Sequence, residues 1–201
     1  MELEDGKKAV EYARHVITKH VKNETISAKL EGKVFEKRQG VFVTINTYPA
    51  MRLRGCIGIP QPIMPLKEAL KEAAISVCHD PRFPDLNEKE LDSIVVEVSI
   101  LTEPKLINVK KKREYPDKIK IGKDGLIIEK GLYRGLLLPQ VATEYNWNSI
   151  EFLDETCMKA GLPPACWLDE GTKVYKFQAE IFEEVEPMGR IIKKDEFNKD
   201  G

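Results

Sequence analysis

The chain has 201 residues, 42% hydrophobic and 32% charged, with a formal net charge of −1. That length supports one large core or two smaller ones, and the balanced charge leaves no overall field to draw the protein onto nucleic acid or an anionic membrane. No run approaches the ~18 consecutive apolar residues of a membrane span, and MELEDGKKAVEYARHV places acids before any apolar stretch, unlike a secretory signal.

The expected compartment is therefore the cytoplasm, where Cys56, Cys78, Cys157 and Cys166 are expected to stay reduced. No Cys/His spacing reads as a zinc site. His15 and His20 are five residues apart, about 140° around a helix, and cannot share a ligand face.

Residues 6 to 21 carry Ala9, Val10, Ala13, Val16, Ile17 and Val21 at helical spacing, with Asp5 as N-cap. Val41 to Asn46 reads as a β-branched strand, and MRLRGCIGIP as its hairpin partner. Leu66 to Cys78 reads as a second helix, followed by the proline-dense loop HDPRFPDLN. Ile94 to Leu101 alternates, with Ile94, Val96, Val98 and Ile100 on one face and Glu97 and Ser99 on the other. KKKR, residues 110 to 113, reads as a solvated loop. IKIGKDGLIIEKGLYRGLLLP reads as short strands joined by glycine turns. Asn148 or Ser149 caps a further helix through Met158, and Val174 to Val185 reads as a last strand. Beyond Pro187 a polar, loose tail is expected. Trp147 and Trp167 are expected in a core or between lobes. Hairpin turns outnumber crossover helices, so the fold class is α+β with antiparallel sheet.

LRGCIG, residues 53 to 58, gives up two strand side chains to glycine around one thiol. Strict alternation puts Met51, Leu53, Ile57 and Ile59 on the core face and Arg52, Arg54 and Cys56 on the other. A guanidinium one strand step away favours the thiolate and lowers its pKa. Gly55 and Gly58 would let a ligand or another backbone approach. A structural reading stands beside this one, because cysteine is often buried and strand glycines often mark bulges or tight packing. His79 is a candidate base for Cys56, or simply a cation at a helix end. Asp80 and Arg82 suit a local ion pair holding the loop, with Phe83 anchored in the core. No G-x-G-x-x-G, P-loop or cysteine triplet is present, so no cofactor is expected.

LRGCIG, the run from Ala73 through Asp80-Pro-Arg-Phe-Pro-Asp-Leu86, then VEVSIL, DGLII with LLLPQVA, Trp147 and KAGL at 159 to 162 stand in an order that resembles the AMMECR domain family. The family is named for a human chromosomal region (Alport syndrome, mental retardation, midface hypoplasia, elliptocytosis). The resemblance spans about residues 5 to 185 and suits a single-domain archaeal or bacterial member. It implies two lobes, each with an antiparallel sheet flanked by helices. The larger would hold both termini and the smaller would come from mid-chain. It implies no established reaction. It associates members with a Memo-type protein and a radical S-adenosylmethionine enzyme, and transfers the motif to Leu53, Arg54, Gly55, Cys56, Ile57 and Gly58 and to Asp80, Arg82 and Phe83. His79 is outside the pattern.

Three functions follow as expectations. The first is an enzyme or enzyme component in which Cys56 reacts and Arg54 holds an anionic group. The second is a non-catalytic module in which the glycine-lined face of the 53–58 strand forms a groove for a partner protein or metabolite; Arg52, Gly55, Gly58, Asp80, Arg82 and Phe83 are the candidate binding residues. The third is a nucleic-acid factor, ranked last because the net charge is near zero.

Overall fold

The computed structural model describes residues 1–194. In chain order its main elements are α1 (Leu3–Val21), β1 (Val41–Thr47), β2 (Leu53–Ile59), α2 (Leu66–Ser76), β3 (Ile94–Leu101), β4 (Lys105–Leu106), β5 (Gly125–Lys130), β6 (Tyr133–Leu137), α3 (Pro139–Glu144), α4 (Ser149–Lys159), β7 (Lys173–Phe177), β8 (Ala179–Glu184) and β9 (Ile191–Lys194). The fold is α+β, as expected, with a five-stranded sheet ordered β2-β1-β3-β8-β9 and a four-stranded sheet ordered β4-β7-β5-β6. No helix among the described residues is long and apolar enough to cross a membrane.

The chain divides into two compact units. One is Met1–Leu101 with the return from Glu180, and the other begins at Thr102 and ends at Ala179. In the first, Val41, Val43 and Ile45 of β1 and Ile94, Val96, Val98 and Ile100 of β3 form the inner face of the five-stranded sheet. They bury against Ala9, Ala13, Val16 and Ile17 of α1 and Leu66, Leu70 and Ala73 of α2. In the second unit, Leu126 and Ile128 of β5 and Val174 of β7 pack with Phe152, Leu153, Tyr115 and Trp167. Trp167 is thus a core residue, whereas Trp147 is half-buried and stacks on exposed Tyr145.

The helix expected after Asn148 begins where its cap dictates. Asn148 Oδ1 accepts the N–H of Ile150 at 2.9 Å and of Glu151 at 3.1 Å, and Glu151 Oε2 accepts the Asn148 N–H at 2.8 Å. Four other expectations are corrected. α1 begins at Leu3, so Glu2 rather than Asp5 is its N-cap and Asp5 lies within its first turn. The continuous strand from Val174 to Val185 is two strands in two sheets, because the chain breaks step at Gln178. There the backbone exchanges bonds with Thr102 and the side-chain amide donates to Asp124 Oδ1 at 2.9 Å. The tail beyond Pro187 is not wholly loose: Ile191–Lys194 pairs antiparallel with β8, and the residues after 194 lie outside those described. Finally, Cys157 and Cys166 form a disulfide with Cα atoms 6.0 Å apart, while Cys56 and Cys78 are free. The turn between α4 and residues 166–168 brings the two sulfurs together.

Buried Arg14 on α1 holds the returning strand. Its Nε donates to Glu184 Oε1 at 2.9 Å, a second nitrogen binds Glu184 Oε2, and the guanidinium also donates to the carbonyls of Leu91 and Ile94. Glu184 Oε2 in turn accepts the Val96 N–H at 3.0 Å. Removing one partner strands the other charge in the core. Glu184→Ala is expected to lower unfolding free energy by about 3–5 kcal/mol in urea denaturation. A loss below about 1 kcal/mol, the range of a surface pair, would show that this network does not anchor β8.

Candidate functional site

The LRGCIG strand is the edge of the five-stranded sheet, so one side of its backbone has no neighbouring strand. At Cys56 the gap is closed by side chains. The Cys56 N–H donates to Asp80 Oδ2 at 2.8 Å, and the Cys56 carbonyl accepts from Arg82 Nη2 at 3.3 Å. Asp80 and Arg82 are themselves an ion pair, with Arg82 Nε at 3.0 Å from Oδ1 and Nη2 at 2.7 Å from Oδ2. The Asp80 carboxylate is buried, and the Arg82 side chain is exposed. The charge-assisted bonds from Arg82, then the N–H groups of Cys56 and Arg82, hold the Asp80 carboxyl well below the usual carboxylate range.

This closure explains the glycines. A Cβ on Gly55 would lie 2.9 Å from the Val77 carbonyl oxygen, and one on Gly58 would lie 2.4 Å from the Phe42 ring. The room expected for a ligand is occupied by the protein's own atoms.

The alternation expected along the strand fails at one place. Ile45 pairs with Gly55 and Asn46 with Leu53, so Arg54 is an extra residue in a β-bulge. The bulge turns Leu53 onto the Cys56 face, where it is 43% exposed. Met51 lies before the strand with a left-handed φ of 50° and is 46% exposed. Neither is a core residue. Arg54 does not share the Cys56 face. Its Nε and Nη2 clasp Glu90 at 2.6 and 3.1 Å, and Nη2 also donates to the Pro84 carbonyl at 2.9 Å. Exposed Arg52 sits in the turn, its backbone bonded to Thr47. Phe83 is half-buried rather than in the core, with the guanidinium carbons of Arg54 and Arg82 at 5.8 and 5.7 Å from its ring centroid. His79 does not serve Cys56: its Nδ1 meets Asp85 Oδ1 at 3.0 Å and its Nε2 meets His20 Nε2 at 2.8 Å.

The neighbours of the thiol come instead from across the sheet. Cys56 pairs with Thr44 and Thr44 with Glu97, so the three form one row on the outer face. Thr44 Oγ1 donates to Cys56 Sγ at 3.3 Å. Beyond Glu97, Lys194 Nζ bridges Glu97 Oε2 at 3.3 Å and Glu183 Oε2 at 2.9 Å. Burial raises the Cys56 thiol pKa. The Thr44 hydrogen bond and the Arg82 charge oppose this, and Glu97 and Asp80 add to it. The depressed thiol expected from Arg54 is thus corrected: burial outweighs the cations, and the relevant cation is Arg82. Burial also raises the Glu97 carboxyl pKa, with Lys194 opposing and Glu183 reinforcing. The buried Cys78 thiol, which donates to the Ala74 carbonyl, is pushed up to about 12 by burial.

Sequence reasoning missed Thr44, Glu97, Glu183 and Lys194. The polar residues alternating in VFVTIN and IVVEVSIL marked an outer face, but only strand register aligns Thr44 and Glu97 with Cys56.

Two outcomes test this construction. Asp80 has a depressed folded pKa, so its contribution to stability is complete above about pH 4 and is lost as pH falls toward its folded value. Asp80→Asn should cost on the order of 2–3 kcal/mol at pH 7 and flatten the acid limb of stability measured by denaturant titration between pH 5 and 2. An unchanged acid limb would remove Asp80 as the edge closure. Gly58→Ala should destabilise by about 1–3 kcal/mol, and Phe42→Leu in the same chain should recover part of that loss in thermal melts. Full additivity of the two would sink the packing account.

The AMMECR1 family profile matches residues 10–182. Protein MJ0810 of Methanocaldococcus jannaschii is 59% identical over 96% of both chains, and a protein of Thermococcus onnurineus is 54% identical over 94% of this chain and 95% of its own. The crystal structure of the uncharacterised protein PH0010 from Pyrococcus horikoshii superposes with a TM-score of 0.80 at 53% identity, covering 96% of this chain and 98% of that one. With LRGCIG and the Asp80–Phe83 run joined in one edge closure, this chain belongs to the AMMECR1 family.

Proposed function

We propose that this protein is an enzyme, or a component of one, whose reacting group is the Cys56 thiol on the outer face of the five-stranded sheet. The observation that carries the reading is the row Cys56–Thr44–Glu97. Neighbouring strands lie about 4.8 Å apart, so a substrate lying over Thr44 meets a thiol on one side and a carboxyl group of raised pKa on the other. Exposed Arg82, not Arg54, is the cation available to an anionic substrate group.

In this reading the thiol proton reaches the Glu97 carboxylate, two strands away, through the Thr44 hydroxyl and a bridging water, as sulfur bonds to a carbonyl-type carbon. The carbonyl π pair moves to oxygen, where Arg82 balances the new charge. The thiol rests neutral, which suits a group engaged only when a substrate or partner excludes water and brings its own charge. The Memo-type protein and the radical S-adenosylmethionine enzyme are proposed as such partners, in the cytoplasm. The binding-module alternative relied on open space beside Gly55 and Gly58, and Val77 and Phe42 fill that space.

Alkylation of the folded protein tests the site. Iodoacetamide should modify Cys56 alone, with a rate inflection above the free-cysteine value of about 8.5. Glu97→Gln should lower that inflection and Arg82→Gln should raise it. Arg82→Gln should also lower the rate with iodoacetate relative to iodoacetamide. Failure of Cys56 to label in folded protein, or identical inflections in all three proteins, would overturn the proposal.

A further inference from the structure

We infer that His20 and His79 form a two-imidazole binding site for a divalent transition ion of the zinc type, with Asp85 as its outer carboxylate. His20 lies in the last turn of α1, and His79 ends the short turn Val77–His79 that follows α2. Their Nε2 atoms converge at 2.8 Å with the rings nearly perpendicular, at 88°. A zinc ion binds imidazole nitrogen at about 2.0–2.1 Å, and a tetrahedral angle between two such bonds separates the nitrogens by about 3.3 Å. The two nitrogens therefore need to part by about 0.5 Å and the rings, which face each other head-on, to swing by about 35° each so that both lone pairs meet at one ion, a side-chain adjustment for groups at the surface.

The second observation is the partner of the other His79 nitrogen. Nδ1 lies 3.0 Å from Asp85 Oδ1, which assigns the proton to Nδ1 and leaves the Nε2 lone pair facing His20. A carboxylate behind the far nitrogen of a histidine is the arrangement that orients metal-bound imidazoles and raises their basicity. In the pair without an ion His20 Nε2–H is then the donor of the 2.8 Å bond, so on binding its proton shifts through solvent to Nδ1 and two neutral imidazoles hold the ion. Among the described residues no three His, Cys, Asp or Glu side chains form a metal-holding group, so the site proposed is one of two protein ligands with open positions. The sequence spacing of His15 and His20 could not reveal this pair, because the partner is 59 residues away.

The site has a structural consequence. His79 is followed directly by Asp80, so an ion held by His20 and His79 ties the end of α1 to the turn that delivers Asp80 to the Cys56 backbone. That link is independent of whether Cys56 reacts.

Zinc titration of the full-length protein by calorimetry tests the inference. One equivalent should bind to the wild type. His20→Gln and His79→Gln should each abolish that binding, and Asp85→Asn should weaken it about tenfold. His15→Gln should leave it intact. All four changes are expected to keep the fold, which circular dichroism checks. No binding to wild type, or undiminished binding to folded His20→Gln, would overturn the site. So would a sulfur-to-metal charge-transfer band in the cobalt complex, which would place the ion on a thiol instead.

Discussion

An edge strand must do something with the backbone groups that no neighbour meets. Here a buried carboxylate accepts the Cys56 N–H and an arginine beside it donates to the Cys56 carbonyl, so two side chains of one loop stand in for a strand. Much of the surrounding structure follows from this substitution. The loop must come close, so position 55 carries no side chain. Arg82 must be held by Asp80, so its charge is fixed near the sulfur. Arg54, displaced onto the bulge, clasps Glu90 at the far end of the same loop. Phe83 lies against both guanidinium groups. The two family motifs are therefore halves of one contact, and neither is intelligible without the other.

The chemistry of the thiol is a competition in which the magnitudes decide the outcome. A nearby cation and a donated hydroxyl bond favour the thiolate, while desolvation favours the neutral group. Arg82 is exposed and shares its charge with Asp80, so its influence is screened, and burial wins. The same holds for Glu97, where Lys194 opposes burial without overcoming it. The outer sheet face is thus a row of polar groups in which burial raises the pKa of both the thiol and the Glu97 carboxyl while Lys194 holds an ion pair at its end, unlike the apolar inner face.

The architecture that supports this face depends on a second buried contact. The chain leaves the first unit after Leu101 and returns at Glu180, so β8 enters the sheet beside a strand laid down some eighty residues earlier. Glu184 fixes that return, because it satisfies Arg14 on α1 and the Val96 N–H on β3 at once. Its alternation places Phe182 and Glu184 inward and Glu183 outward, which brings Glu183 to Lys194 on the outer face.

The features legible before folding are those that repeat at short range. The periodicities of α1, α2 and β3, the Asn148 cap and the α+β class all depend on residues within a few positions of one another. Tertiary structure decided what depends on register and on distant partners. A single bulge at Arg54 reversed the face of Leu53, because a period of two cannot survive one inserted residue. The disulfide between Cys157 and Cys166, the division of residues 173–184 between two sheets, and the meeting of Cys56 with Thr44, Glu97 and Arg82 arise where chain segments converge. Local sequence carries no term for that convergence, so the site's central residue was legible and its working neighbours were not.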